Sequence, residues 1–284
     1  MSRLIRAACV QLNGGQDMAR NLDRAEARVR EAQAQGARFI ALPENAPLME
    51  HRAEISRAQA APTESHPAVR RFSALASELG VHILLGSHAA LAPNGKLSNR
   101  SVLFDDKGSI VAAYDKVHMF DVDIPDGATY RESETFEPGR DAVIAETPFA
   151  RIGLTVCYDV RFAYLYRMLA QGGAELLTVP AAFTKLTGEA HWHVLLRARA
   201  IETGCFVVAP AQCGSHSGNR RTFGHSLIVD PWGAVLADGG EAEGVIVAEL
   251  DLDKVAEARG RIPALRHDRP VALKAKTSLG AAAG

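Results

Sequence analysis

The chain is poor in cysteine. It holds four in 284 residues, and no two form a C-x-x-C pair. Cys9, Cys157, Cys205 and Cys213 are too few and too scattered for a disulfide framework. Long apolar runs are also missing: nothing approaches the roughly 20 residues that span a bilayer. The brief apolar start, Met1 to Leu12, lacks the extended hydrophobic region of a signal peptide, so it reads as a first strand in a cytoplasmic protein. Neither charge sign dominates. The net charge is −1 with acids and bases interspersed, which argues against nucleic acid or a membrane surface as partner. There is no Walker or dinucleotide phrase, and no linker, repeat or low-complexity segment. One domain over residues 1–270 is expected, with a tail at 271–284 that is mobile or docked at a subunit interface.

What is present alternates strand and helix. Arg3 to Leu12 reads as strand, and Asp17 to Gln35 as a helix with Leu22, Ala25, Val29 and Ala32 on one face. Phe39 to Leu42 and Val81 to Gly86 read as strands flanking a helix from Pro67 to Leu79. Asn99 to Phe104 and Ile110 to Tyr114 enclose the hairpin turn Asp105-Asp-Lys-Gly108. Val117 to Gly139 is a polar and aromatic stretch of the length that usually carries function. Beyond it, Arg151 to Cys157 reads as strand, Arg161 to Gly172 as helix, Ala174 to Pro180 as strand and Gly188 to Thr203 as helix. Three strands follow, at 206–209, 223–229 and 245–250, then a short helix from Asp251 to Arg259. Asp230-Pro-Trp-Gly233 turns the chain between two of those strands. The mixture of parallel and hairpin strands predicts an α/β protein with two sheets covered by helices.

Cys157 is the residue with the most to say. A thiol at a strand-to-helix turn faces free backbone N–H groups and the positive end of a helix, which suit a thiolate and an oxyanion. The competing reading is a buried structural cysteine. Two further segments bear on the choice. Ala37 to Asn45 places Glu44 just after an apolar strand and a proline, and Ala112 to Asp123 places Lys116 at the end of another.

With its surrounding words, Glu44, Lys116 and Cys157 in that chain order resemble the nitrilase superfamily of carbon–nitrogen hydrolases. A second acid, Glu132, stands in Tyr130-Arg-Glu-Ser-Glu-Thr-Phe-Glu-Pro-Gly139, where that family carries one. The resemblance implies a four-layer α-β-β-α sandwich, a homodimer or higher homo-oligomer, a small amide substrate, and no metal or cofactor. Cys157 is then the nucleophile and Glu44 the general base. Lys116 and the Tyr158 N–H stabilise the oxyanion, and Glu132 positions Lys116 or the substrate and tunes Glu44. Phrases in the second half, among them Leu195 to Thr203 and Ala211-Gln-Cys-Gly214, resemble the branch that holds deaminated-glutathione amidase and omega-amidase. The implied substrate bears a carboxylate. Arg161, one helical turn after Cys157, is either a clamp for that carboxylate or a structural partner of Asp159 or another buried acid. Departures from the branch at Ala163-Tyr164-Leu165 and beside the base at Ala46 are expected to line or back the pocket.

Alternatives share the chemistry. An N-carbamoyl amino acid amidohydrolase would use every one of these residues. An acyltransferase would pass the thioester to an amine, and a non-catalytic binding protein would need a broken set. A nitrilase proper would carry Trp where this chain has Tyr158. His191-Trp192-His193 is not read as a metal motif, because positions i and i+2 of a helix diverge and no carboxylate cluster adjoins them in sequence. Cys9, Cys205 and Cys213 are read as structural, His216 as a solvated loop residue and His225 as a satisfied core residue.

Overall fold

Strand residues buried on both faces dictate the architecture. In Leu4–Gln11, Ala8 and Val10 pack against helices, while Ala7 and Cys9 point the other way into a second core. The same alternation sends Ile40 to the helices and Phe39 and Ala41 inward. A sheet buried on both sides must be sandwiched.

The computed structural model describes residues 3–50, 52–92, 94–124 and 129–274. Its first six-stranded sheet runs Gly244–Asp251, Leu4–Gln11, Phe39–Ala41, His82–Leu91, Leu97–Phe104, Ile110–Asp115. The second runs Val235–Asp238, Leu227–Val229, Phe206–Ala209, Leu176–Thr178, Arg151–Leu154, Val143–Glu146. In each, the three central strands are parallel and the outer ones antiparallel. Helices Met18–Ala34 and Pro67–Leu79 cover the outer face of the first sheet through Leu22, Val29, Phe72 and Leu75. Helices Ala163–Gln171 and Lys185–Thr203 cover the second through Leu165, Leu169, Leu196 and Ala200. The result is the four-layer α-β-β-α sandwich. Helix ends obey local rules: the Asp17 carboxylate caps Arg20 N–H, and Gly80 and Gly204 end their helices at φ of 62° and 60°.

Three expectations are corrected. The helix after Cys157 begins at Ala163, not Arg161, because a five-residue 3₁₀ turn, Cys157–Arg161, comes first and Phe162 (φ −106°, ψ 83°) breaks it from the helix. The strand expected at 223–229 is two. Arg221–Phe223 pairs with Cys213–Ser215, and Gly224 and His225, at φ of 76° and 51°, turn the chain before Leu227–Val229 joins the main sheet. The strand Val235–Asp238, beyond the expected turn at 230–233, was not anticipated. Within 117–139, Asp121–Asp123 and Thr129–Arg131 pair as a small hairpin and deliver the turn Glu132–Glu134. Most of the tail expected at 271–284 lies outside the described residues.

Candidate active site

Glu44 sits past the end of Phe39–Ala41, where the chain is held from several sides. Leu42 N–H bonds Leu84 C=O at 2.9 Å, and a Cβ on Gly86 would stand 1.9 Å from Leu42 C=O, so this crossing needs glycine. Asn45 N–H donates to Ser87 Oγ at 3.0 Å, and Gln212 Nε2 donates to Glu44 C=O at 3.0 Å. Lys116 follows Ile110–Asp115 and is tied to the neighbouring strand by its N–H to Asn99 C=O, 3.0 Å. Glu44 and Lys116 are each only 2% exposed.

Four side chains then interlock. Glu44 Oε1 accepts from Lys116 Nζ at 2.9 Å and from Asn99 Nδ2 at 3.0 Å. Glu132 accepts from Lys116 Nζ at 2.8 and 3.1 Å, from Asn99 Nδ2 at 3.0 Å and from Phe120 N–H at 2.7 Å. The other Glu44 oxygen accepts from Ala182 N–H at 2.9 Å, and the carboxylate lines the same cavity as Cys157 and opposes ionisation of its thiol. Asn99 was missed by sequence reasoning, because its burial and its bonds to both acids appear only in the folded structure.

Cys157 lies on the second sheet's side at φ 48°, a left-handed conformation that non-glycine residues adopt at a cost. Its N–H is held by Pro180 C=O at 2.8 Å, whereas Tyr158 N–H donates to no described residue. Asp159, wholly buried, fixes the turn: Oδ2 accepts from Val156 N–H at 2.8 Å and from Tyr114 OH at 2.7 Å. Its Oδ1 accepts from His118 N–H at 3.1 Å and lies 2.7 Å from His118 Nδ1. Tyr114 and His118 flank Lys116. One carboxylate thus registers the nucleophile's turn against the lysine's strand. Asp159 is therefore not the partner of Arg161.

Charge decides the resting state. Burial pushes the Cys157 thiol well above its ordinary pKa, and the Glu44 charge pushes it further; Lys116 opposes both. Burial would also raise Glu44, yet Lys116, Arg220 and the neighbouring Cys157 thiol hold its carboxyl below the usual 4.5. Lys116 resists its own burial because Glu132 and Glu44 hold it charged. Glu44, Lys116 and Glu132 sum to −1, and ionising Cys157 to solvent would make it −2. Passing the proton to Glu44 leaves the total unchanged. The expected free thiolate at a helix end gives way to a neutral thiol paired with a base.

These groups open on a cavity of about 110 Å³ lined by Glu44, Lys116, Glu132, Cys157, Tyr158 and Arg220, with Phe120, Tyr130 and Phe183 among its aromatic walls. A depression of about 600 Å³ by Trp232 and Arg259 holds none of the interlocked residues, so size does not mark the chemistry here.

The family described as Carbon-nitrogen hydrolase matches residues 6–260. The chain belongs to that family. It is 40% identical to deaminated glutathione amidase of Yersinia enterocolitica, over 92% of each chain. It is 38% identical to human omega-amidase NIT2, over 93% of this chain and 95% of that one. Among solved structures it matches the C. elegans NitFhit protein with a TM-score of 0.86 and 34% identity, covering 94% of this chain and 65% of that one.

Other side chains of this carbon–nitrogen hydrolase lie elsewhere than expected. Arg161 is not among the residues lining the cavity; its guanidinium stacks 5.1 Å from the Phe183 ring and 5.8 Å from Tyr158, beside His191. Arg220, which sequence reasoning passed over in a polar loop, does line it. Tyr164 is exposed and bonds His118 Nε2 at 2.7 Å, Leu165 is core and Ala46 packs beneath a helix, so none of these departures lines the cavity. His216 is not solvated, since its ring lies 2.8 Å from Gly14 C=O and 2.7 Å from Thr222 Oγ1. His193 does have a carboxylate neighbour. Asp238 bridges it to His225, at 2.9 and 2.8 Å, a pairing between elements that helix spacing could not reveal. Cys9, Cys205 and Cys213 are buried, and none of them lines the cavity.

Proposed function

We propose that the protein is an amidase that hydrolyses the linear amide of a small carboxylate-bearing acid through a thioester on Cys157, releasing ammonia. The observation that carries this reading is the position of Glu44, one carboxylate bonded at once to Lys116 and to a backbone N–H in the cavity that Cys157 also lines. Cys157 Sγ attacks the amide carbon as its proton moves to Glu44, so the buried cluster gains no charge. The carbonyl oxygen becomes an oxyanion between Lys116 Nζ and the Tyr158 N–H. Each such donor contributes roughly 2.7–4 kcal/mol to the transition state. Glu44 then gives its proton to the nitrogen, the carbon–nitrogen bond breaks and ammonia leaves. Water, deprotonated by Glu44, attacks the thioester; the acid departs and the thiol is restored. Glu132 holds Lys116 toward this centre while Asn99 spaces the two acids.

The names of the relatives support deaminated glutathione or another α-keto-acid amide as substrate. A homodimer working in the cytoplasm, implied by the family resemblance, belongs to the same proposal. The test is ammonia release from deaminated glutathione, α-ketoglutaramate, an N-carbamoyl amino acid and a simple nitrile, each beside a Cys157→Ala control. Cysteine-dependent release from either keto-acid amide is the expected result. Release from the carbamoyl compound alone would replace the substrate and keep the nucleophile.

A further inference from the structure

Arg220 lines the catalytic cavity, and its surroundings are unusual for a guanidinium. Nη2 donates to Ala182 C=O at 2.9 Å, and the plane lies 5.5 Å from the centre of the Tyr130 ring. Its Nε is buried and has no hydrogen-bond partner. No carboxylate of the described residues lies within 4 Å of it. Arg131 also lines the cavity, but it is neutralised by Asp123 at 2.8 Å. Glu50 lines it as well, with its carboxylate engaged by Arg52 at 2.9 Å and Gln16 at 2.6 Å. A buried cationic donor left without an acceptor on the wall of a cavity is unfavourable unless the ligand brings one.

The rest of the cavity sets the direction. Glu44, Lys116 and Glu132 together carry −1, so an anionic group is repelled from the end where Cys157 waits. Arg220 is the counterweight. Ala182 donates its N–H to Glu44 and accepts from Arg220 through its C=O, so a single residue fixes the guanidinium relative to the catalytic base. Tyr130 supports the guanidinium face and leaves its edge free.

We propose that Arg220 is the carboxylate-binding residue of the site, gripping the acid end of the substrate through Nε and its remaining Nη protons while the amide lies against Cys157. This rests on the amidase reading above and assigns the clamp to Arg220 rather than Arg161. Charge-assisted, bidentate contacts of this kind discriminate strongly between an acid and its neutral analogue.

The experiment compares kcat and KM of wild type, Arg220→Gln, Arg220→Lys and Arg161→Lys on α-ketoglutaramate and on neutral butyramide. Arg220→Gln is expected to raise KM for the acid amide roughly 100-fold, with a far smaller effect on butyramide. Arg220→Lys should recover part of the loss, since charge returns without the planar fork. Equal losses on both substrates would reduce Arg220 to a tie on Ala182, and a selective loss in Arg161→Lys instead would move the clamp. If wild type shows no cysteine-dependent turnover of α-ketoglutaramate, deaminated glutathione takes its place in the comparison, and silence on both keto-acid amides makes the proposed substrate class fail by itself. Titration of glutarate into the resting enzyme then decides Arg220: binding abolished in Arg220→Gln sustains the subsite, and unchanged binding overturns it.

Discussion

The two sheets contribute opposite things to the site. From the first sheet and its loops come Glu44, Asn99, Lys116 and Glu132, all charged or strongly polar, each held by at least two of the others. The strand ends of the second sheet bring no charge, and Arg220, on the hairpin between two of its strands, is the one charged residue of that side to line the cavity among the described residues. That sheet offers a neutral thiol on a left-handed backbone, the N–H of Ala182, and the N–H of Tyr158, which donates to no described residue. Buried ions are tolerable only when paired and hydrogen-bonded, so the charges gather where strand ends can supply partners to one another. As the proposed nucleophile, Cys157 needs direction rather than charge, and its left-handed backbone at φ 48° supplies it. In the mechanism proposed above, the proton path from Cys157 to Glu44 crosses between the sheets, so neither half would be competent alone.

Removing one group from each side gives the largest effects. Cys157→Ala is expected to abolish ammonia release, and Glu44→Gln to lower kcat at least ~10⁴-fold, since groups acting as one unit fail together. The double variant should be no worse than Cys157→Ala alone. Full activity in a clean Cys157→Ala preparation would sink the mechanism. Lys116→Ala separates the sides further, because it strands Glu44 and Glu132 as buried unpaired carboxylates. It should cost about 3–5 kcal/mol of stability by urea unfolding as well as activity, whereas Cys157→Ala should leave stability nearly intact.

Asp159 tests whether the register between the sheets matters. It binds the elbow on one side and Tyr114 and His118 on the other. Asp159→Asn keeps the shape but turns an acceptor into a donor facing Tyr114 OH or the Val156 and His118 N–H groups. A fall in kcat of about 10–100-fold with little change in KM is expected, from misplacement of the thiol relative to Lys116. A variant with unchanged kcat but lowered stability would make Asp159 a structural lock only.

The same division explains what could be read in advance. Period-two burial, the Asp17 cap and the glycine stops at 80 and 204 are local, so strands and helices were legible from spacing. Glu44, Lys116 and Cys157 each end a strand, and their chain order made them readable as a set. Asn99, the Ala182 N–H and Gln212 act only through convergence of segments up to 168 residues apart, which no local pattern encodes. Arg161 misled for a related reason. Helical spacing placed it one turn beyond Cys157, but a 3₁₀ turn held by Asp159 occupies that stretch and swings Arg161 onto Phe183. The strand break at Gly224-His225 was hidden because tertiary bonds stabilise the turn, among them His225 N–H to Gly240 C=O at 2.6 Å, Gly224 N–H to Gln212 C=O at 3.1 Å and Trp192 Nε1–H to His225 C=O at 2.8 Å.

The smallest effect comes from polar groups the first sheet buries without such partners. His88, on His82–Leu91, is 2% exposed and neither ring nitrogen has a hydrogen-bond partner; His66 packs against it at 4.6 Å. Burial lowers His66 to about 4 and His88 to about 3, the latter helped by the neighbouring His66 and Arg100. Both rings are therefore neutral in the folded protein at pH 5, while an unfolded histidine with a pKa near 6.5 binds a proton there. The unfolded state holds more protons between pH 6.5 and 4, so stability is full above 6.5 and is lost as pH falls. Each ring should cost about 2 kcal/mol between pH 7 and pH 5, read from urea midpoints. His88→Leu should flatten that slope, since it removes the proton acceptor and fills an apolar site. Imidazole resonances titrating near 6.5 for both rings would show that these histidines reach water. The contrast between charges the sheet pairs and rings it merely hides would then be lost.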